Sequence, residues 1–204
     1  MIELLREVLP ELEGTVWLRG GRALLVRPLR RSDAPLLIEL HERLSEHSRY
    51  LRFLGAKPHL SLQEAEGLAD VDFRERFAIS AISRDEGRDE IVAVARFQIV
   101  GEGRAEAAVV VRDDFQGAGL GTKLLLRLLA LARWAGVREF GGEVLAANTR
   151  MLRLLKLGGA HIGKPRHGAV EVVVPVRSPS LVFRILRSFA NEAARLATRG
   201  RSAG

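Results

Sequence analysis

Two spacings of apolar residues alternate along this chain. Short continuous or alternating apolar runs at residues 15–18, 23–26, 77–82, 91–100, 105–111, 139–145 and 169–176 predict strands, with Ile162 in the first arm of a last hairpin. Apolar positions recurring every three to four residues predict helices over 34–44, with further turns through 54, and over 61–69, 121–135 and 149–157. The punctuation agrees. Gly20-Gly21 joins the first two strands, and Ser32-Asp33 opens a helix with Pro35 in its first turn. Ser61-Leu62-Gln63-Glu64 has the form of a capping box, residues 84–89 form a polar turn, and Gly136 and Gly158-Gly159 close helices. Residues 1–13 read as a short helix broken near Pro10. After Pro179, Leu181, Val182, Ile185, Leu186, Phe189, Ala193 and Leu196 repeat at helical spacing between arginines. That apolar stripe needs cover from its own domain, from a second copy in a homodimer or from a membrane surface, and because it is mainly aliphatic one of the first two is expected. Strands followed by a helix that returns to a neighbouring strand indicate a mixed α/β sheet.

Composition narrows the chemistry. At 204 residues, 47% hydrophobic and 28% charged, the chain fits one domain with extensions. Glu3, Arg6 and Glu7 interrupt the only apolar start, so no secretory signal is expected. The richest apolar stretch, 124–131, contains Arg127 and is shorter than the ~20 residues of a membrane span, so a cytoplasmic location is expected. The absence of cysteine excludes disulfides, thiolate metal sites and a cysteine nucleophile, and the histidines show no metal-ligand spacing, so no metal is expected. The formal net charge of +7 favours anionic partners. Aromatics are only 5% and are not interleaved with basic positions, which argues against nucleic-acid readout.

The stretch Gln116-Gly117-Ala118-Gly119-Leu120-Gly121-Thr122 lies between a strand and a helix. Small residues let a backbone approach an anion closely, and the free amides and dipole of the helix start favour phosphate. Thr122-Lys123 reverses the order a P-loop requires. On the glycines alone, phosphate binding and a plain connection are equal readings.

In context, residues 22–176 resemble the GNAT N-acetyltransferase superfamily. The likeness rests on Gln116 to Gly121, which fits the (Gln/Arg)-x-x-Gly-x-(Gly/Ala) acyl-CoA motif, and on the strand Gly142-Glu143-Val144-Leu145 leading to Asn148 and the helix with Met151, Leu152 and Leu155. The resemblance implies a mixed, mostly antiparallel central sheet flanked by helices, whose fourth and fifth strands splay apart to receive acetyl-CoA as co-substrate. It also implies cofactor contacts from Val109, Val110 and Val111, from the loop Gln116, Gly117, Ala118, Gly119, Leu120, Gly121 and Thr122, and from Asn148. Residues 1–21 would be an N-terminal extension and 177–204 a basic amphipathic tail. A narrower similarity, carried by Leu44 to Phe53, Val71-Asp72-Phe73, Phe77 and Arg104-Ala105-Glu106, is to the Pat-type bacterial protein lysine acetyltransferases. It implies a protein acceptor, such as an acyl-CoA synthetase.

A lysine amine with a pKa near ~10.4 is protonated at neutral pH, so acetyl transfer needs a general base. Glu106 stands among alanines and valines expected to desolvate it, and in the Pat-type pattern this glutamate is the base. A backbone N–H of Val109 or Val111 could stabilise the oxyanion, and the sequence does not choose between them. Asn148 is equally suited to bond the cofactor or to cap the next helix. Where many relatives carry a tyrosine, Leu155 stands. Tyr50 is expected to pack beneath the acceptor groove, and Arg49 and Arg52 either line that groove or form helix-face ion pairs. The alternatives are a small-molecule amine acceptor and a non-catalytic acyl-CoA-sensing or nucleic-acid-binding module.

Overall fold

The computed structural model describes residues 13–176 apart from residue 86. Eight strands form one sheet in the order β1 (Gly14–Trp17), β2 (Ala23–Pro28), β3 (Arg76–Asp85), β4 (Arg88–Gly101), β5 (Arg104–Val111), β6 (Glu139–Leu145), β8 (Ala169–Pro175) and β7 (His161–Ile162). All neighbours are antiparallel except β5 and β6, which are parallel. A parallel step cannot be closed by a hairpin, and here a helix makes the crossover. The helices are α1 (Ala34–Glu42), α2 (Glu46–Phe53), α3 (Leu62–Ala69), α4 (Leu120–Trp134) and α5 (Thr149–Leu157). This is the mixed, mostly antiparallel α/β architecture that the sequence pattern and the resemblance lead one to expect.

The sheet separates two apolar layers because successive strand residues face opposite sides. One layer packs Phe77, Phe97 and Phe140 with Leu124, Leu128 and Leu131 of α4, and the Phe77 and Phe97 rings stack at 4.4 Å. The other gathers Leu29, Leu37, Leu40, Leu44, Leu60 and Val94 under α1 to α3. Boundaries differ from the expectation in two places. The polar stretch 84–89 largely joins the β3–β4 hairpin, because Arg84 and Asp89 stand directly opposite and pair at 2.7 Å. The helical stretch 34–54 breaks after Glu42, and Ser45 starts α2 afresh by accepting from the Ser48 N–H at 3.1 Å. β1 lies before residue 22 yet pairs with β2, so the sheet takes in part of the N-terminal stretch. The helices expected over 1–13 and after Pro179, and with them the dimer contact, lie outside the described residues. No described helix is long and apolar enough to cross a membrane.

Candidate active site

β5 and β6 pair over only three rungs, Arg104–Glu139, Ala105–Phe140 and Glu106–Gly141. Beyond these both strands continue, β5 to Val111 and β6 to Leu145, without pairing with each other. The result is a wedge between two strands of one sheet, within a groove of about 480 Å³. Its lining includes Gln98, Glu106, Ala108 and Val109 on one side and Gly141, Gly142, Met151, Leu154 and Leu155 on the other. Glu106 occupies the last rung, at the apex.

Strand parity decides which peptide groups face the wedge. The Arg112 N–H donates to the Val92 carbonyl of β4, so alternate residues from Val110 backward also turn their peptides to β4. Val109 and Val111 therefore turn theirs to the open edge, and Val110 does not. The Val110 side chain instead packs in the layer under α1 to α3. The Val111 carbonyl already accepts from the Gln116 side chain at 2.9 Å. Of the three valines, Val109 is the nearest to the last rung with backbone groups turned to the open edge.

The glycine loop leaves β5 through a single turn at Asp113–Phe115 and enters α4. Gly117 and Gly119 both take left-handed backbone, with φ of 77° and 89°, a region open to glycine at little cost. Leu120 and Thr122 bury their side chains, so their peptide groups are what they can offer a ligand. Gly121 packs so closely on β5 that a Cβ there would meet Val111 at 3.4 Å. The Arg150 guanidinium lies 4.0 Å from where a Gly117 Cβ would be, a cation over the loop that the sequence reading missed because 33 positions separate the two. Left-handed glycines, a long helix N-terminus and this cation make a cradle that suits a pyrophosphate.

Asn148 caps α5, its Oδ1 accepting from the Met151 N–H at 3.2 Å, and it also lines the groove. Leu155 lines the groove as well. Tyr50 does not pack beneath it: the ring is 47% exposed on α2 and is absent from the lining. Glu106 is exposed rather than desolvated, because the alanines and valines around it point their small side chains to both faces and leave its carboxylate open to the groove.

Asp113 ties α2 to this assembly. Its carboxylate accepts from the Ser45 N–H at 2.9 Å and from the Ser45 and Ser48 hydroxyls at 2.8 and 2.7 Å. Desolvation alone would raise this carboxyl, but the bonds from Ser45 and Ser48 outweigh it and hold it below the usual carboxylate range. The Gln116 amide also reaches the Ser48 hydroxyl, at 3.2 Å. The chain thereby locks α2, the end of β5 and the glycine loop into one frame. On the α2 side Arg52, Leu54, Leu68 and Arg96 complete the groove.

Comparison with known proteins agrees with this geometry. The family model described as "Acetyltransferase (GNAT) family" matches residues 40–159. An acetyltransferase of Pseudomonas aeruginosa is 34% identical over 143 residues, 68% of this chain and 77% of that protein. Acetyltransferase Pat of Mycolicibacterium smegmatis is 31% identical over 165 residues, 78% of this chain but 48% of that longer protein. The crystal structure of the GNAT domain of S. lividans PAT superimposes with a TM-score of 0.72 at 31% identity, covering 81% of this chain and 97% of that domain. With a family model over more than half its length, and the splayed strands and glycine loop in place, this chain belongs to the GNAT acetyltransferase family and is an acetyl-CoA-dependent acetyltransferase.

Proposed function

We propose that the chain transfers the acetyl group of acetyl-CoA to a lysine of another protein, with Glu106 as general base. The observation that carries this reading is the position of Glu106 on the last β5–β6 rung, at the apex of the wedge and open to the groove beneath α2. The pyrophosphate would rest on the amides from Gly117 to Thr122 under Arg150, and the pantetheine would run along the free peptide edge of β5. Glu106 takes a proton from the acceptor ammonium, directly or through water, and the freed amine attacks the thioester carbonyl carbon. The Val109 N–H donates to the oxygen that becomes negative. Collapse breaks the carbon–sulfur bond and releases coenzyme A as thiolate, which leaves readily without a protein acid at Leu155 and takes up the second amine proton through water. An exposed base suits this task, since it must meet an ammonium delivered from solvent.

The similarity to Pat of M. smegmatis and to the GNAT domain of S. lividans PAT supports a protein acceptor. Acyl-CoA synthetases are the acceptor class first to be tried. Labelled acetyl-CoA would be offered with purified acyl-CoA synthetases on one side and with spermidine, aminoglycosides and free amino acids on the other. Labelling of a single lysine in a synthetase is expected. Strong labelling of a small amine, with no protein above the non-enzymatic background, would contradict the protein acceptor and leave the acetyltransferase standing.

A further inference from the structure

The groove contains two guanidinium groups for which the described residues supply no carboxylate. Two other arginines drawn in from solvent have carboxylate partners: Arg27 donates to Asp33 at 2.7 and 2.8 Å, and Arg112 binds Asp114 and Glu90 at 2.7 and 3.0 Å. Arg127 on α4 has none, but it does not line the groove, whereas Arg52 and Arg96 do. Arg96 gives one hydrogen bond to the Leu68 carbonyl at 3.1 Å, and Arg52 lies 5.0 Å from the Phe53 ring centroid. Neither makes an ion pair with Glu106 or any other described residue. Burial, reinforced by the charge of Arg96, pushes Arg52 down to about 10, and burial lowers Arg96 as well, with Arg76 adding to the effect. Two half-buried like charges side by side repel each other unless an anion joins them.

Their placement relative to Glu106 indicates what the anion belongs to. Gln98 is directly opposite Glu106 on β4, and Arg96 is the next residue on the same face. Such a diagonal pair is about 7–8 Å apart at the backbone, within one side-chain length. Both arginines line the groove with Glu106, on the side where β5 meets α2. Leu54, just after the end of α2 and 42% exposed, adds an apolar surface to the same groove.

We infer that Arg52 and Arg96 form a carboxylate-binding subsite that selects an acceptor whose reactive amine lies close to an acidic group. This rests on the acetyltransferase reading with Glu106 as base and makes its acceptor class narrower: a lysine with an aspartate or glutamate beside it. The chemistry required is a carboxylate one side chain away from the amine, and the α-carboxylate of a free amino acid is the other source that could supply it.

The test uses the full chain with peptide pairs that differ only in Glu or Gln beside one lysine, together with free lysine and lysine amide. The wild type is expected to favour the Glu peptide about ten-fold or more in kcat/KM, mainly through KM. Arg52→Gln or Arg96→Gln should bring that ratio close to one, and Arg52→Glu should invert it toward an Arg-flanked peptide. If neither the peptide ratio nor the ratio of lysine to lysine amide differs between the wild type and the three variants, the subsite is overturned. Preference for lysine over lysine amide without any peptide preference keeps the subsite and overturns the protein source. A second measurement needs no turnover. Glutarate, compared with sodium chloride at equal ionic strength, should raise the Tm of the wild type and not that of the Arg52→Gln/Arg96→Gln double variant. Absence of acetyl transfer with this shift intact would count against the catalytic reading alone. No shift in the wild type would overturn the carboxylate subsite.

Discussion

Gly119 and Arg150 carry the residue-scale argument for cofactor binding. A side chain at Gly119 has open space around it, so its effects would come from a φ of 89° that L-residues rarely adopt and from the bulk and charge placed over the loop amides. Gly119→Glu should abolish acetyl-CoA binding in calorimetry while the far-ultraviolet circular dichroism stays that of the folded chain. Arg150→Ala should weaken binding by about ten-fold, as expected for loss of one charge-assisted contact to a phosphate, and the loss should shrink as salt is raised. Unchanged affinity in both variants would remove the loop from the cofactor site. The glycine loop and Glu106 were legible in the sequence because each lies within a short local pattern. Arg150 and Arg96 were not, since their positions over the loop and beside Glu106 come from the α5 and β4 packing that the fold alone supplies.

The element that most affects the site is α2. Sequence periodicity places helical turns there, but nothing local reveals that Asp113, 68 positions away from Ser45, anchors its N-terminus. Asp113→Ala should free α2 from the glycine loop. It should cost about 1 kcal/mol in denaturant unfolding, since exposure weakens these bonds, and should reduce kcat/KM for the acceptor more than affinity for acetyl-CoA. Because the carboxyl is held below its ordinary range, its stabilising bonds are present at neutral pH and are lost only as pH falls through that lowered value. His41 on α1 gives a second pH dependence. Both ring nitrogens are buried, and burial lowers the imidazole below its ordinary 6.5, outweighing the nearby backbone of Pro58 and Lys57. The unfolded chain therefore binds a proton near pH 6.5 that the folded chain does not, so stability is full above 6.5 and declines as pH falls below it. Urea titrations from pH 7.5 down to about pH 5 should show this slope in the wild type, and His41→Leu should flatten it.

For the whole molecule, the mixed sheet was readable because each strand and helix carries its own period, and the single parallel step followed from the helix between β5 and β6. The β5–β6 splay was not readable from periodicity, since an unpaired strand edge has the same residue pattern as a paired one. It entered the sequence reading only through resemblance. The formal net charge of +7 belongs to this scale too. It should speed encounter with acidic protein surfaces and slow encounter with polyamines, so acetylation of an acidic protein acceptor should fall as salt is raised from about 0.05 to 0.3 M. A rate unchanged over that range would exclude long-range steering.

In the proposed mechanism Glu106, at the apex of the β5–β6 wedge, removes the proton that keeps the acceptor amine inert. The most direct test is the pH profile of acetyl transfer by Glu106→Gln, following release of the coenzyme A thiol, with acetyl-CoA affinity measured on the same preparation. Retained affinity is expected, with turnover lower by about two to four orders of magnitude at neutral pH and partial recovery at high pH, where the amine loses its proton unaided. Wild-type turnover at neutral pH would contradict this mechanism.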